Sequence, residues 1–347
     1  ACGGQGMSGK DLLRRVTPGR EHIPIIATLA VLVLMFSFGA IRHADRNFAS
    51  LYNIISLFRG GAVIGIAAIG STFVILSKGI DLSVGAVIAL ASTMTAKLVA
   101  EEIAPGVAGP GLHPALVLPL VVFLGLAFGA AQGALIHWFA LPPFLVTLAG
   151  MFLARGLAFA VHPQSVTADH PMIGRLQDIA IPLGDRFDLP LIVLVLLASF
   201  AIAVLAARFV PVCRDVYAVG GDEASARLMG VNIARVKIGV YALGGVMGAL
   251  AGVVATIDTG AGSPAEYVGY ELDAIAAVVI GGTLLTGGTG FVFGTLLGML
   301  ILGLIRLIID NEGTLSSWWT NISAGVLLFL FIALQSLLTG VAGKRGK

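Results

Sequence analysis

Seventeen residues from Gly60 to Leu76 pass without a single charge, and thirteen more from Val84 to Ala96 do the same. Between them lies Ser77-Lys78-Gly79-Ile80-Asp81-Leu82-Ser83, holding one cation, one anion and two hydroxyls. Uncharged runs of this kind read as membrane spans, and lipid cannot satisfy irregular backbone. The polar interruption must therefore sit at a bilayer surface or inside a protein-lined cavity. The chain repeats such runs to its end. With 57% hydrophobic residues, 12% charged residues and 46 glycines among 347, the expected fold is all-α: a polytopic membrane helix bundle of about ten transmembrane segments, both termini cytoplasmic.

Residues 1–6 read as an unstructured leader before Met7, and residues 1–22 as a cytoplasmic segment whose Lys10, Arg14, Arg15 and Arg20 obey the positive-inside rule. A single transmembrane domain then spans 23–339. Its first run is Ile23 to Ile41, followed by Arg42 to Arg59, whose Leu51, Ile54, Ile55 and Phe58 suggest an amphipathic helix on the outer surface. After the two runs above come a surface loop, Glu101 to Pro114, and spans at Ala115–Ile136 and Phe144–Val161. The polar insertion His162 to Asp188 is long for a connection in a compact bundle, which favours a function. The sixth span, Leu189–Ala207, leads into a basic inner loop, 208–237. The seventh, Ile238–Ile257, carries glycines at 244, 245, 248 and 252, a spacing for close packing in the interior. A glycine-threonine tract, Gly281 to Gly290, separates a short or re-entrant eighth segment at 273–280 from a ninth at 291–309. The tenth is Ile322–Leu338, and 340–347 is a cytoplasmic tail.

Gly60 to Leu76 makes about 25 Å of helix, close to the hydrocarbon thickness of about 30 Å, so Lys78 and Asp81 can reach the inner surface. On that reading Asp81 or Ser83 caps the third span. On the other, 77–85 is a broken helix lining a pathway. Ser77-x-Gly79 with Gly85 is echoed at the same offsets by Thr286-x-Gly288 with Gly294.

Several function classes drop out. The glycine tract at 287–294 lacks the lysine of a phosphate-binding loop, so ATP hydrolysis would fall to a partner. No His-Glu-x-x-His, Gly-x-Ser-x-Gly or zinc-spaced Cys/His set occurs, which argues against an enzyme and against a bound metal. Cys2 and Cys213 imply no disulfide framework, and Asp169-His170-Pro171 reads as a solvated loop. A small net charge of +2 excludes a nucleic-acid footprint. Few carboxylates fall within the runs, which weakens an ion-coupled secondary carrier, the competing class.

The inner loop is more informative. In Asp222-Glu223-Ala224-Ser225-Ala226-Arg227-Leu228-Met229-Gly230, Asp222 suits an N-cap, Glu223 the first turn and Gly230 the end of a short helix. That helix presents Ala224, Leu228 and Met229 on one side, as a docking element for a partner groove. The alternative is a helix lying on its own bundle.

The 77–85 stretch, this helix and Glu271-Leu-Asp273-Ala-Ile-Ala-Ala-Val-Val-Ile-Gly-Gly-Thr283 together resemble the permease subunit of bacterial ribose-type ABC sugar importers, over about Phe48 to Leu338. Gly313-Thr-Leu-Ser-Ser-Trp-Trp319 and Asp169-His170-Pro171 are most similar to the galactofuranose importer's permease. The resemblance implies a multi-pass protein of the bacterial inner membrane. It also implies a cytoplasmic ABC ATPase carrying ATP and Mg, a second and different permease chain, and a periplasmic sugar-binding protein received by 42–59, 162–188 and 259–271. Asp222, Glu223, Ala224, Arg227, Leu228, Met229 and Gly230 would form the ATPase-coupling segment. Ser71, Thr72, Asp81, Ser83, Ser92, Thr256 and Thr283 are candidate groups along the sugar path. Lys78 stands where the family pattern usually has glycine.

Overall fold

The structure, a computed structural model, describes residues 23–100, 102–104, 107–108, 111–182, 188–313 and 318–344; the readings for 1–22 and for the last residues of the tail lie outside these. Ten apolar helices make the bundle: α1 (Ile23–Arg42), α2 (Leu51–Leu76), α3 (Val84–Val99), α4 (Pro114–Trp138), α5 (Pro143–Val161), α7 (Leu191–Phe209), α10 (Ile233–Thr259), α11 (Tyr270–Ile280), α12 (Val292–Glu312) and α13 (Trp318–Lys344). Three more are short and polar or amphipathic: α6 (Pro171–Asp178), α8 (Pro211–Gly221) and α9 (Glu223–Leu228). Seven, namely α1, α2, α4, α5, α7, α10 and α12, are long and apolar enough to cross a membrane. The chain is a polytopic helical membrane protein.

Two boundaries differ from expectation. Residues 51–59 do not form a separate surface helix: they are the first turns of α2, which runs 26 residues unbroken. Ser50 starts it, its hydroxyl accepting the Asn53 N–H at 3.3 Å. Gly60-Gly61 does not interrupt it, because Met299 of α12 packs into the space that a side chain at 61 would occupy. At the other end α13 continues to Lys344, through the first residues of the expected tail.

Over its described residues, 162–182 and 188, the insertion is built rather than loose. A short strand, Val166–Thr167, pairs antiparallel with Ala261–Gly262, tying this loop to the end of α10. His170, in the Asp169-His170-Pro171 motif, N-caps α6: its Nδ1 accepts the Met172 N–H at 3.1 Å.

The interior role of α10 holds. Its glycines let neighbouring backbones approach to contact: Gly245 meets Gly125 and Gly129 of α4, Gly244 meets Gly70 of α2, and Gly252 meets Ile88 and Ser92 of α3. In lipid, where apolar side chains gain nothing by leaving their solvent, such close backbone packing is a main source of helix association.

Candidate coupling site and path residues

α9 projects from one end of the bundle. Asp222 caps it as expected, accepting the Ser225 N–H at 2.7 Å. Hydrogen bonding from Ser225, by side chain and then backbone, holds the Asp222 carboxyl below its usual range, with Lys78 adding to the effect. The helix closes at Gly230, φ +86°, with Val231 N–H on Ala226 O and Gly230 N–H on Arg227 O, a Schellman ending. Only Ala226 faces inward. Leu228 is 90% and Met229 71% exposed, and Ala224 and Arg227 are exposed with them. Glu223 anchors the element from the other side, 2.8 Å from Lys237 of α10 and 3.4 Å from Arg227. A capped, salt-bridged helix thus carries an exposed apolar tip.

The junction leading into α9 is tied to the 77–83 stretch. α2 also ends in a Schellman motif, Gly79 N–H on Val74 O and Lys78 N–H on Ile75 O, with Lys78 itself left-handed at φ +63° where glycine is usual. The lysine therefore does not abolish the tight turn. Its ammonium donates to Gly221 O at 3.1 Å, and Gly288 N–H donates to Leu76 O at 2.9 Å. Cβ atoms at Gly220, Gly287 or Gly288 would overlap these partners. The two echoing tracts, 77–79 and 286–288, are thus packed against each other and against the entry to α9.

Beyond Lys78 the chain turns back into the bundle without helix. Ile80 O accepts from Thr147 Oγ1 of α5 at 3.1 Å, and by Gly85 the backbone lies beside Tyr267 and Glu271. Asp81 and Ser83 are buried. Asp81 Oδ1 accepts both the Ser83 N–H (2.8 Å) and its hydroxyl (2.7 Å) just before α3, where the helix N-terminus favours a negative charge. An end turn and a buried stretch follow in succession, and neither Asp81 nor Ser83 caps α3 with its side chain as expected, because the Asp81 carboxylate is taken up by Ser83 itself.

The remaining path candidates are all buried but do not converge on one site. Ser71 and Thr72 bond back to Ala67 O and Ala68 O, and Thr72 also meets Thr295 of α12 at 2.8 Å. Thr256 of α10 donates to Ser92 of α3 at 3.1 Å. Thr283 Oγ1 has no hydrogen-bond partner and lies against Gly290. Sequence reasoning passed over Thr295, Gln132 and Thr147, although each is a polar residue in an apolar run and legible as such. Gln132 Oε1 lies 3.3 Å from Ser83 Oγ, whose one proton goes to Asp81; with the amide turned over, Gln132 donates to Ser83 and its stranded Nε2 is satisfied.

Two large grooves flank α4 and α5, of about 380 and 370 Å³, and their walls are apolar except for Gln132. Leu, Phe and Val side chains suit acyl chains there, not a polar solute. A smaller cleft of about 250 Å³ between α2 and α12 holds Ser56, Arg306 and Asp310. It opens at the end opposite α9.

Residues 53–333 match the family model described as the branched-chain amino acid transport system permease component. The chain is 44% identical to the inner membrane ABC transporter permease protein YjfF of Escherichia coli K12, over 92% of this chain and 94% of that protein. It is 34% identical to the fructose import permease FruG of Bifidobacterium longum, over 94% of each, and 33% to the ribose import permease RbsC of E. coli K12, over 88% and 92%. No solved structure gives a significant match. With its spans, the chain is a multi-pass inner-membrane protein, and it belongs to the ABC-transporter permease family that includes the ribose and fructose import permeases.

Proposed function

We propose that this chain is the transmembrane subunit of an ATP-driven importer that takes up a monosaccharide, galactofuranose before a ribose-like sugar, delivered by a periplasmic binding protein. The observation that carries the reading is α9. A capped, salt-bridged helix with Leu228 almost wholly exposed has no use on an isolated bundle but fits a groove on a cytoplasmic ATPase. ATP and Mg belong to that partner, and closure of its subunits would reach the bundle as a rigid-body shift of α8 and α9. This assigns the α9 end to the cytoplasm and 42–59, 162–188 and 259–271 to the docking of the binding protein. The second permease is a related, different chain. Similarity to named ribose and fructose permeases supports a sugar, and the resemblance around Gly313 to Trp319 supports the furanose.

Reconstitution with the ATPase, the second permease and the binding protein, followed by uptake of labelled sugar, tests it. Uptake that follows ATP and ignores a proton gradient is expected. Uptake driven by the gradient without ATP would restore the ion-coupled carrier.

A further inference from the structure

We propose that Gly262 to Gly269 is a non-helical half-span that acts as a movable outer gate of this permease, and that Arg155 of α5 is its positioning residue. The proposal rests on the importer reading, since it names a part of this chain that ATP-driven motion moves.

The eighth segment is helical only in its inner half. α10 ends at Thr259, and α11 has 11 residues where a crossing needs about 20. The chain between them does not return along the surface. At Gly262 its backbone lies against Ser92 and Ala96 of α3, and at Tyr267 it lies against Gly85. From Ser92 to Gly85 α3 rises through about 10 Å, so the segment descends by that much inside the bundle before α11 begins. Extended chain supplies the outer half of this span and helix the inner half.

Backbone without helix at such a depth needs partners, because lipid offers none. On one flank it has them. Arg155 donates through Nη1 to Pro264 O and to Glu266 O, each at 2.6 Å, and among the described residues it is in no ion pair. A guanidinium set within a span and committed to two carbonyls of another segment is expensive, which marks it as holding that segment in place. Gly262, Ser263, Pro264 and Tyr267 are buried. Tyr267 is left-handed at φ +62°, a conformation that a non-glycine residue keeps only where its surroundings enforce it, and Gly269 follows at φ +89°. The other flank is bare: Ala265 and Glu266 are exposed, and Val268 is 73% exposed. A carboxylate and irregular backbone cannot face hydrocarbon, so this flank faces water, in a space outside the chain's own bundle.

Both ends of the segment are tied to places where force arrives. Above, Ala261–Gly262 pairs with Val166–Thr167 of the outer insertion, and the Ala168 N–H donates to Gly260 O at 2.8 Å. Below, α11 carries the chain to Gly281, which packs on Gly294, and the same loop reaches Lys78 and Gly220 at the α9 junction through Gly287 and Gly288. A strained strap fixed to the insertion at one end and to the coupling junction at the other, with a single guanidinium latched to its middle, is placed to shift when either end moves.

The test uses the assembled importer in vesicles, with Val268→Cys in this chain and a membrane-impermeant maleimide added on the binding-protein side; the chain with native Val268 supplies the baseline for Cys2 and Cys213. Residue 268 should react, at a rate that differs several-fold between the resting assembly and one trapped with MgATP and vanadate. Phe123→Cys, also exposed but on the apolar helix α4, should stay unreactive in both. Arg155→Gln should erase the difference between the two states and lower uptake of labelled ribose or galactose several-fold while ATP hydrolysis continues. Arg155→Lys, a point charge without the planar fork, should narrow the difference. A residue 268 that reacts no faster than Phe123→Cys, or equally in both states with uptake intact, overturns the gate and leaves the importer reading standing. A difference of native size in either Arg155 variant overturns the role of Arg155. Absence of ATP-dependent uptake of both sugars by the unaltered assembly overturns the importer reading and the gate with it.

Discussion

The ammonium of Lys78 donates to the carbonyl of Gly221 at 3.1 Å, joining the left-handed residue that ends α2 to the residue before the α9 cap. A non-glycine residue in that conformation costs roughly 1–2 kcal/mol. Lys78→Gly should therefore leave thermal stability unchanged or slightly higher while removing the link. We expect uptake per ATP hydrolysed to fall several-fold, and Lys78→Arg to retain most of it. Uptake by Lys78→Gly equal to wild type would show that the contact transmits nothing.

Leu228 is the most exposed large apolar side chain of the described residues. Leu228→Asp should abolish co-purification of the ATPase without changing the unfolding temperature of the permease. Gly230→Arg should do the same with some loss of stability, because a left-handed ending is strained for arginine. Unaltered co-purification and unaltered stimulated hydrolysis in both variants would count against docking at α9.

Protonation of the Asp222 cap has a defined direction. Because its folded carboxyl titrates below the usual range, the cap contributes above that range and is lost only as pH falls through the lowered value. ATPase association should be flat across roughly pH 5 to 8 where this group alone is concerned. A fall in affinity on acidification within that window that Asp222→Asn removes would contradict it.

Glycine contacts separate two substitutions of identical chemistry. Gly220→Ala places a methyl group onto Leu76 O and against Gly288 N and should destabilise by about 1–3 kcal/mol or more. Gly239→Ala, in a helix with nothing within 4 Å of the new atom, should stabilise by roughly 0.5–1 kcal/mol. Thermal unfolding in detergent reads both; equal effects would mean that the junction at 220 is not tightly packed.

Thr72 and Thr295 form a hydrogen bond between α2 and α12. A double-mutant cycle with Thr72→Val and Thr295→Val should give a coupling near 0.6 kcal/mol and below about 1.7 kcal/mol, the range for such pairs in membranes. Zero coupling would mean that each hydroxyl is satisfied by its own helix alone.

The helices were legible because span length and charge-free runs are local properties, and so were the two ends of α9, where Asp222 and Gly230 are strong local signals. The start of α2 was not: Leu51 to Arg59 has an amphipathic pattern that a surface helix and a half-exposed first turn share, and only packing beneath Gly61 decides. Which hydroxyls meet was likewise hidden. Ser92 finds Thr256 and Thr72 finds Thr295 across separations of 164 and 223 residues, which no sequence period encodes. Lys78 hid in the opposite way, since a residue disfavoured at a turn argued against a turn that the surrounding backbone nevertheless imposes.

α11 and α12 cross with almost no side chain between them: Gly281 lies on Gly294, Gly298 on Ala277, and Asp273 clasps Arg306 farther along. Backbones in direct contact cannot slide without collision, so the pair has to tilt as a single lever. The loop 281–291 pressed against Lys78 and Gly220 is its short arm, and the Arg306 end is its long one. A small displacement at the α9 end would then arrive magnified at the mouth of the cleft, without any part of either helix having to unwind.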